Sequence, residues 1–389
     1  MTTDAQLEDT DIVVIGAGIY GCATAYFLSQ FGKEVVVVDS ADVGGAASGA
    51  NAGNLHLQLS PFSHADKSLE WVAQFAKMLP FFLEAHALWR RLGDELDCDI
   101  ELRRTGGIMV GETEHQIHLL RDKVELERSQ GLQVEMLEGN ELRARAPYLS
   151  EHIQAASYCP DEGMANALTA VVGLADGARN AGTRFLLQTR VERLESEAGR
   201  WRVWTSRGPI KCRKLVIATG SCSGEVGAMA GVHVPIVNRV IQIVATEACE
   251  AFIEHLVYHS EVRLTLKQAA NGNIIIGGGW SATRDAVFGF PAVLNESLRG
   301  NLSVARAVVP RLAEACVIRS WAGPNVYTPD GYPILGPVPG REGLSLAVCN
   351  TYGFTLGPLC GLLVAETAVG RPVSADMSPF SIGRFPVAP

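Results

Sequence analysis

Two kinds of hydrophobic pattern run along the chain. Residues 11–15 (DIVVI) and 35–38 (VVVV) are short apolar runs rich in β-branched side chains, the signature of strands buried on both faces, and the residues between them read as a helix closed by Gly32. Another buried strand is predicted in KLVIATGSCSG (214–224), ending in a turn of small residues; an ordinary core strand would look the same. Residues 65–97 are helical in period but interrupted at Pro80, which predicts two helices or one kinked helix. A short strand pair is predicted around 101–110, broken by Gly106 and Gly107, followed by a charged amphipathic helix over 112–130 whose charges read as a solvated face. After a turn at 160–163 come a helix over 167–180 ending at Gly182 and strands at 184–194 and 201–206.

The second half changes character. Residues 239–246 alternate weakly, and 263–268 and 274–278 flank AANG, a hairpin with Asn271 and Gly272 in its turn. A helix over 296–309 is stopped by Pro310, residues 321–336 are rich in turn formers, and VCNTYGFTLGPLCG (348–361) passes from a strand through glycines into a last helix. A chain of 389 residues with this alternation predicts two intimately packed domains of α/β class.

Composition narrows the function classes. Hydrophobic residues make up 47% and charged residues 19%, ordinary for a globular enzyme. The net charge of -9, with no basic and aromatic cluster, argues against a nucleic-acid surface. The 9 cysteines are dispersed without a CxxC pair, so no metal site is predicted and a reducing compartment fits. The polar, acidic start MTTDAQLEDTD and the lack of any run of eighteen apolar residues predict neither secretion nor a membrane span, and the expected location is cytoplasmic.

The chemistry begins with Gly16, Gly18 and Gly21, a GxGxxG placed where the first strand must turn into the first helix. The first glycine permits the turn, the second lets a pyrophosphate approach the backbone, and the third allows helix to pack on strand. The amides and positive dipole end of that helix then face phosphates, and Asp39 at the end of the next strand can accept from ribose hydroxyls. The motif alone leaves FAD and NAD open. DVGGAASGANAGNLH (42–56) has too little apolar surface to form core; it suits backbone lying along a ligand, with Ser48, Asn51 and Asn54 as polar contacts, or else a flexible linker. The glycine turn near 353 offers a second helix N-terminus to the same ligand.

Taken together, GAGIYG with Asp39, GGAASGANAGN, KLVIATG, TPDGYPILG, GFTLGPLCG and the tail SPFSIGRF resemble, in order and spacing, the D-amino-acid oxidase, glycine oxidase and sarcosine oxidase group of FAD enzymes. The resemblance implies a Rossmann-like, glutathione-reductase-like FAD-binding domain assembled from 1–60, 150–229 and 321–389. A discontinuous α+β substrate domain on a largely antiparallel sheet would take 61–149 and 230–320. It implies non-covalent FAD contacts at Gly16, Ala17, Gly18, Ile19, Tyr20 and Gly21, at Asp39 and Ser40, and along Ala47, Ser48, Asn51, Ala52, Gly53, Asn54 and Leu55. Further contacts fall at Val191, at Ala218, Thr219 and Gly220, and at Gly353, Phe354, Thr355 and Leu356.

Within the group, NAGN, QIVATE (242–247) and IIIGGGW (274–280) look most like the B subunits of hetero-oligomeric dehydrogenases such as the opine (octopine or nopaline) oxidases and D-hydroxyproline dehydrogenase. That implies an A subunit with a second nucleotide site and a small iron–sulfur subunit, so FMN and a cluster would be present only through partners. There are departures. Asn325 stands where relatives carry a carboxylate-binding arginine, Thr355 where another carries a lysine, and Gly323 near the position of a covalent flavin cysteine.

The implied reaction is hydride transfer from the carbon beside a neutral amine of an amino acid to flavin, with hydrolysis of the imine and passage of electrons to a partner. His56, Tyr327 and Tyr352 are candidate substrate contacts that could equally be structural or packing residues. Asn325 and Thr355 join them by position, and Arg263, Lys267, Trp280 and Arg284 are candidates from the β region. Alternatives are a D-amino-acid or D-hydroxyproline dehydrogenase, and a non-catalytic FAD-binding assembly subunit.

Overall fold

A computed structural model of the chain describes residues 8–60 and 67–386, so the first two residues of the helical stretch expected at 65–97 lie outside the described residues. Two eight-stranded sheets organise the molecule. In the first, Ile334–Pro337, Leu344–Val348, Gly208–Ile217, Glu8–Ile15, Val35–Val38 and Arg184–Leu186 lie side by side in that order, and Arg200–Thr205 and Val191–Glu197 extend it from Gly208–Ile217. The pairs around Glu8–Ile15 are parallel, with Val14 opposite Val37 on one side and Val216 on the other. Val35–Val38 is buried at every position because helices or strands cover both faces, which is why its sequence carries no alternation.

The helix Ile19–Gln30 is buried from Ile19 to Ser29 and packs against the last helix, Gly353–Val369, and against Ala167–Asn180. Glycine makes that first crossing close: a Cβ on Gly361 would sit 2.8 Å from the Thr24 amide nitrogen. Pro80 breaks nothing. It occupies the first turn of Leu79–Glu95, where its missing N–H has no intrahelical partner to lose, and the break from Leu69–Ala76 falls just before it.

The second sheet runs Val317–Tyr327, Val237–Ala248, Asn273–Gly277, Thr265–Gln268, Leu256–His259, Gly107–Gly111, Ala155–Cys159 and Glu135–Glu138, antiparallel except where Leu256–His259 meets Gly107–Gly111. One face, with Ile108, Val110, Val244, Val257, Leu266 and Ile276, forms a core with Ala305 and Val308 of the helix Asn295–Val308. Alternation therefore puts Tyr258, Thr265 and Lys267 on the other face, where Tyr258 and Thr265 are cross-strand neighbours.

The structure corrects several expectations. Residues 321–327 belong to an eleven-residue strand, Val317–Tyr327, rather than to turns; Pro324 is tolerated because this is an edge strand. Of the pair expected at 101–110 only Gly107–Gly111 is a strand, although Arg103 makes an isolated bridge to Met164. The run expected at 184–194 divides into Arg184–Leu186 and the start of Val191–Glu197. Residues 155–159 and 321–327, expected in the cofactor-binding part, pair within the second sheet. On the helix Glu114–Ser129, Lys123 and Glu127 point inward as a buried ion pair of 2.9 Å, contrary to the solvated face read for the whole segment.

Candidate active site

At the carboxyl ends of the parallel strands the chain forms a cradle of backbone. Gly16 has φ +111°, a conformation that favours glycine, and a Cβ there would overlap the carbonyl of Ala218. Its amide donates to Val38 O at 2.8 Å while the Ala218 amide donates to Ile15 O at 2.8 Å, so three neighbouring strand ends are locked together. A Cβ on Gly21 would overlap the Gly16 carbonyl, which holds the helix start against the turn. Gly18 gives that helix no side-chain cap, and Tyr352 gives the last helix none. Apart from the Ile19 amide, taken by Ser48 Oγ, and the Gly353 amide, taken by Asn350 O, the first turns of these two helices keep amides and positive dipole ends for a ligand. Cradle, helix N-terminus and acidic strand end fit a dinucleotide, and the residues that would hold it are those of the glycine turn, Asp39 and the segment after it.

Asp39 accepts from the Ala17 amide at 2.6 Å and the Ala41 amide at 2.8 Å; a carboxylate keeps further lone pairs for ribose hydroxyls. Ser48, on the short helix Ala47–Ala50, accepts from the Ile19 amide at 2.9 Å. Asn51 closes its own loop, donating to Ser48 O and accepting from the Gly53 amide. Asn54 Oδ1 and Tyr20 OH are buried without a hydrogen-bond partner. Gly220 has φ +51° in the turn that begins with Ala218 after the strand Gly208–Ile217, and Val191 opens its own strand. Phe354 packs on Trp89 at 5.0 Å, and Leu356 is buried. A groove of about 510 Å³, lined by Lys214, Pro337, Arg341 and Ser345 among others, lies away from this cradle and does not touch its glycines.

Where the cradle meets the second sheet, a polar cluster is closed in by aromatic rings. The His56 amide donates to Thr355 Oγ1 at 3.1 Å, its carbonyl lies 3.2 Å from His86 Nε2, and its Nδ1 lies 2.9 Å from the Tyr258 hydroxyl. Tyr352 stands edge-on to His56 at 5.8 Å and to Phe82 at 5.2 Å. Burial above all, then His86 and Lys267, pushes the His56 pKa down to about 3. Burial likewise pushes His86 to about 4 and Lys267 to about 7. Lys267 is 4% exposed and makes no hydrogen bond or ion pair among the described residues; its Nζ lies 3.3 Å from where a Cβ on Gly53 would be.

Behind His56 is a network that the sequence reading missed. Glu162 accepts from the Leu57 amide at 2.6 Å, the Gln58 amide at 2.8 Å, Gln58 Nε2 at 2.9 Å and the Tyr258 hydroxyl at 3.3 Å. Lys123 donates to Gln58 Oε1, Ser157 Oγ and Glu127, and Glu127 accepts from the Leu59 amide at 2.6 Å. Burial raises the pKa of both carboxyls, yet Glu162 acts as acceptor in all four contacts, the pattern of an ionised carboxylate. The available signals were faint: a glutamate in the CPDEGM turn and a Lys/Glu pair four residues apart on a helix.

The sequence candidates therefore separate. Tyr352, His56, Thr355 and Lys267 gather at the junction; Asn325 reaches it by donating to Tyr327 OH and Thr351 Oγ1, both at 3.0 Å. Thr355 is buried, its hydroxyl donating to Asn54 O. Trp280 instead donates to Arg263 O and packs over Gly300, Arg263 donates to Gly279 O, and Arg284 is exposed with a bond to Gly289 O.

Comparison with known proteins agrees with this architecture. The family described as FAD dependent oxidoreductase, DAO, matches residues 11–367. Glycine oxidase of Geobacillus kaustophilus (strain HTA426) is 28% identical over 380 residues, which cover 96% of this chain and 97% of that one. The opine oxidase B subunit of Rhizobium meliloti is 27% identical over 386 residues, 97% and 98% of the two chains. The crystal structure of glycine oxidase from Geobacillus kaustophilus matches with a TM-score of 0.86 at 26% identity, covering 97% of this chain and 100% of that one. The expected fold is borne out, and the chain belongs to the DAO family of FAD dependent oxidoreductases.

Proposed function

We propose that the chain oxidises a secondary amine derived from an amino acid, an opine such as octopine or nopaline, and that electrons leave through a partner subunit. The observation that carries this reading is the half-buried, uncharged His56 beside the buried Lys267 at the junction of cradle and sheet. Bound FAD supplies the acceptor for the hydride of the carbon beside the amine. The chain supplies the setting. Desolvation and a neighbouring ammonium, which hold the imidazole neutral, act in the same direction on a bound substrate ammonium and favour its deprotonated form. Only that form has the lone pair that assists C–H cleavage, after which water hydrolyses the imine.

In this reading Gly16–Gly21, Asp39, residues 47–55 and residues 353–356 hold FAD, while His56, Tyr352, Tyr327 and Asn325 face the substrate. The similarity to the B subunit of an opine oxidase supports an A subunit as partner; in this reading FMN and an iron–sulfur cluster belong to partners only, and the assembly is cytoplasmic. The test is anaerobic addition of octopine, nopaline, proline-type imino acids and D-amino acids to the FAD-loaded chain. Bleaching of the flavin by an opine, with arginine released when an artificial acceptor is present, is the expected result. Bleaching only by D-amino or imino acids would replace the substrate class, and no bleaching by any of them would leave an assembly subunit without catalysis.

A further inference from the structure

Glu162 and Tyr258, which stand behind His56, have no part in the reaction as described so far, yet the proton inventory of the line they form with it is determined. Glu162 already accepts three N–H bonds, from the Leu57 amide, the Gln58 amide and the Gln58 side chain, and its remaining contact is the Tyr258 hydroxyl. A tyrosine hydroxyl has one proton, and burial raises the Tyr258 pKa, so that proton is retained. Given to the carboxylate, it leaves the phenol oxygen able only to accept from His56 at 2.9 Å. His56 Nδ1 must then carry the N–H. The opposite orientation would set a phenol lone pair against an anionic oxygen at 3.3 Å.

A neutral imidazole has a single ring proton, so Nε2 is left as a bare acceptor, and no described residue donates to it. The ring cannot readily turn away. Its backbone bonds Thr355 through the amide and His86 through the carbonyl, and the ring itself is held by the Tyr258 hydroxyl with Tyr352 edge-on to it. We infer that Glu162, acting through the Tyr258 hydroxyl, is a positioning residue that keeps the His56 proton on Nδ1 and presents Nε2 to the N–H of a neutral amine substrate. The ligand half of this inference rests on the amine reading above; the tautomer half does not. With its one N–H held by Nε2, a secondary amine has its lone pair directed away from the imidazole and free to assist loss of hydride from the adjacent carbon.

Nitrogen-15 NMR of the FAD-loaded chain labelled at its 9 histidines, with His56 assigned by its loss in His56→Gln, reads the tautomer directly. Wild type should show His56 with a protonated Nδ1 and an unprotonated Nε2. Tyr258→Phe, which removes one oxygen and keeps the ring, should abolish that fixed pattern, retain FAD, and lower kcat/KM about tenfold, the worth of one hydrogen bond. Glu162→Gln should keep the pattern, because the Leu57 and Gln58 amides hold its carbonyl oxygen where Tyr258 donates, whereas Glu162→Leu, which offers the phenol no acceptor, should let its proton turn to Nδ1 and move the ring proton to Nε2. Should Glu162→Leu fail to fold, Tyr258→Phe alone decides. Protonated Nε2 in wild type, or an unchanged tautomer in Tyr258→Phe, overturns the inference. If no amine bleaches the flavin but the tautomer behaves as described, the substrate reading falls and the positioning role of Glu162 stands.

Discussion

The cradle at the ends of the parallel strands and the pocket against the antiparallel sheet lie side by side but are made of different material. In the cradle the exposed surface is main chain, shaped by glycines whose missing side chains leave room for a neighbouring carbonyl. In the pocket it is side chain, and each polar group is oriented by another from a distant part of the chain: His56 by Tyr258, Tyr258 by Glu162, Gln58 by Lys123. A backbone surface tolerates no added atom. A side-chain surface tolerates change in shape but not in the balance of donors, acceptors and charge.

The largest effect should therefore come from one small addition to the cradle. Gly21→Val places a branched side chain on the Gly16 carbonyl and against Ala218, with no flexible neighbour to yield. Purified protein should contain no FAD, seen as loss of the visible flavin bands, and should unfold at lower temperature. A yellow Gly21→Val variant with normal flavin content would break the distinction, since it would mean that the turn can open without cost.

Charge imbalance in the pocket comes next. Lys123→Met leaves the buried carboxylates of Glu127 and Glu162 without their cation and should cost about 3–5 kcal/mol at neutral pH, measured by urea denaturation. The sign of its pH dependence follows from Glu127, whose folded pKa lies above the usual 4.5 because of burial and is held down by Lys123. Such a group favours the folded state below its unfolded pKa and loses that advantage as pH rises through the higher folded value. Without Lys123 the folded value climbs further. The difference between wild type and Lys123→Met should then be widest near pH 8 and narrow as pH falls toward 5; a difference independent of pH would show that Lys123 acts through packing alone.

The same contrast explains what could be read before the structure. Gly16, Gly18, Gly21 and Asp39 are legible because a backbone site demands particular residue types at particular spacings within thirty residues. Glu162 and Tyr258 are not, because a side-chain network is satisfied by any donor and acceptor that folding brings together, here across 96 residues of sequence. Lys123 and Glu127 have the spacing of a surface pair, and only the Leu59 amide and Gln58 reveal why they turn inward. The strand Val317–Tyr327 was hidden for a related reason. Gly323 and Pro324 are turn formers by local preference, and pairing with Val237–Ala248 at a sheet edge overrides it.

The smallest effects locate the boundary of the pocket. Asn325 links Tyr327 on the edge strand to Thr351 before the last helix, so Asn325→Ala should cost about 1 kcal/mol in stability and raise KM several-fold while kcat stays near wild type. Arg284 carries the same kind of expectation from sequence, a cation in the β region able to hold an anionic group. Its guanidinium instead donates to Gly289 O on an exposed hairpin, and a surface bond of that kind contributes within about 0.5 kcal/mol. Arg284→Ala should leave KM, kcat and flavin content unchanged. Measured together the two variants weigh position against charge: if Arg284→Ala raised KM and Asn325→Ala did not, substrate would be held by the exposed hairpin, and the junction around His56 would not be where the amine is oxidised.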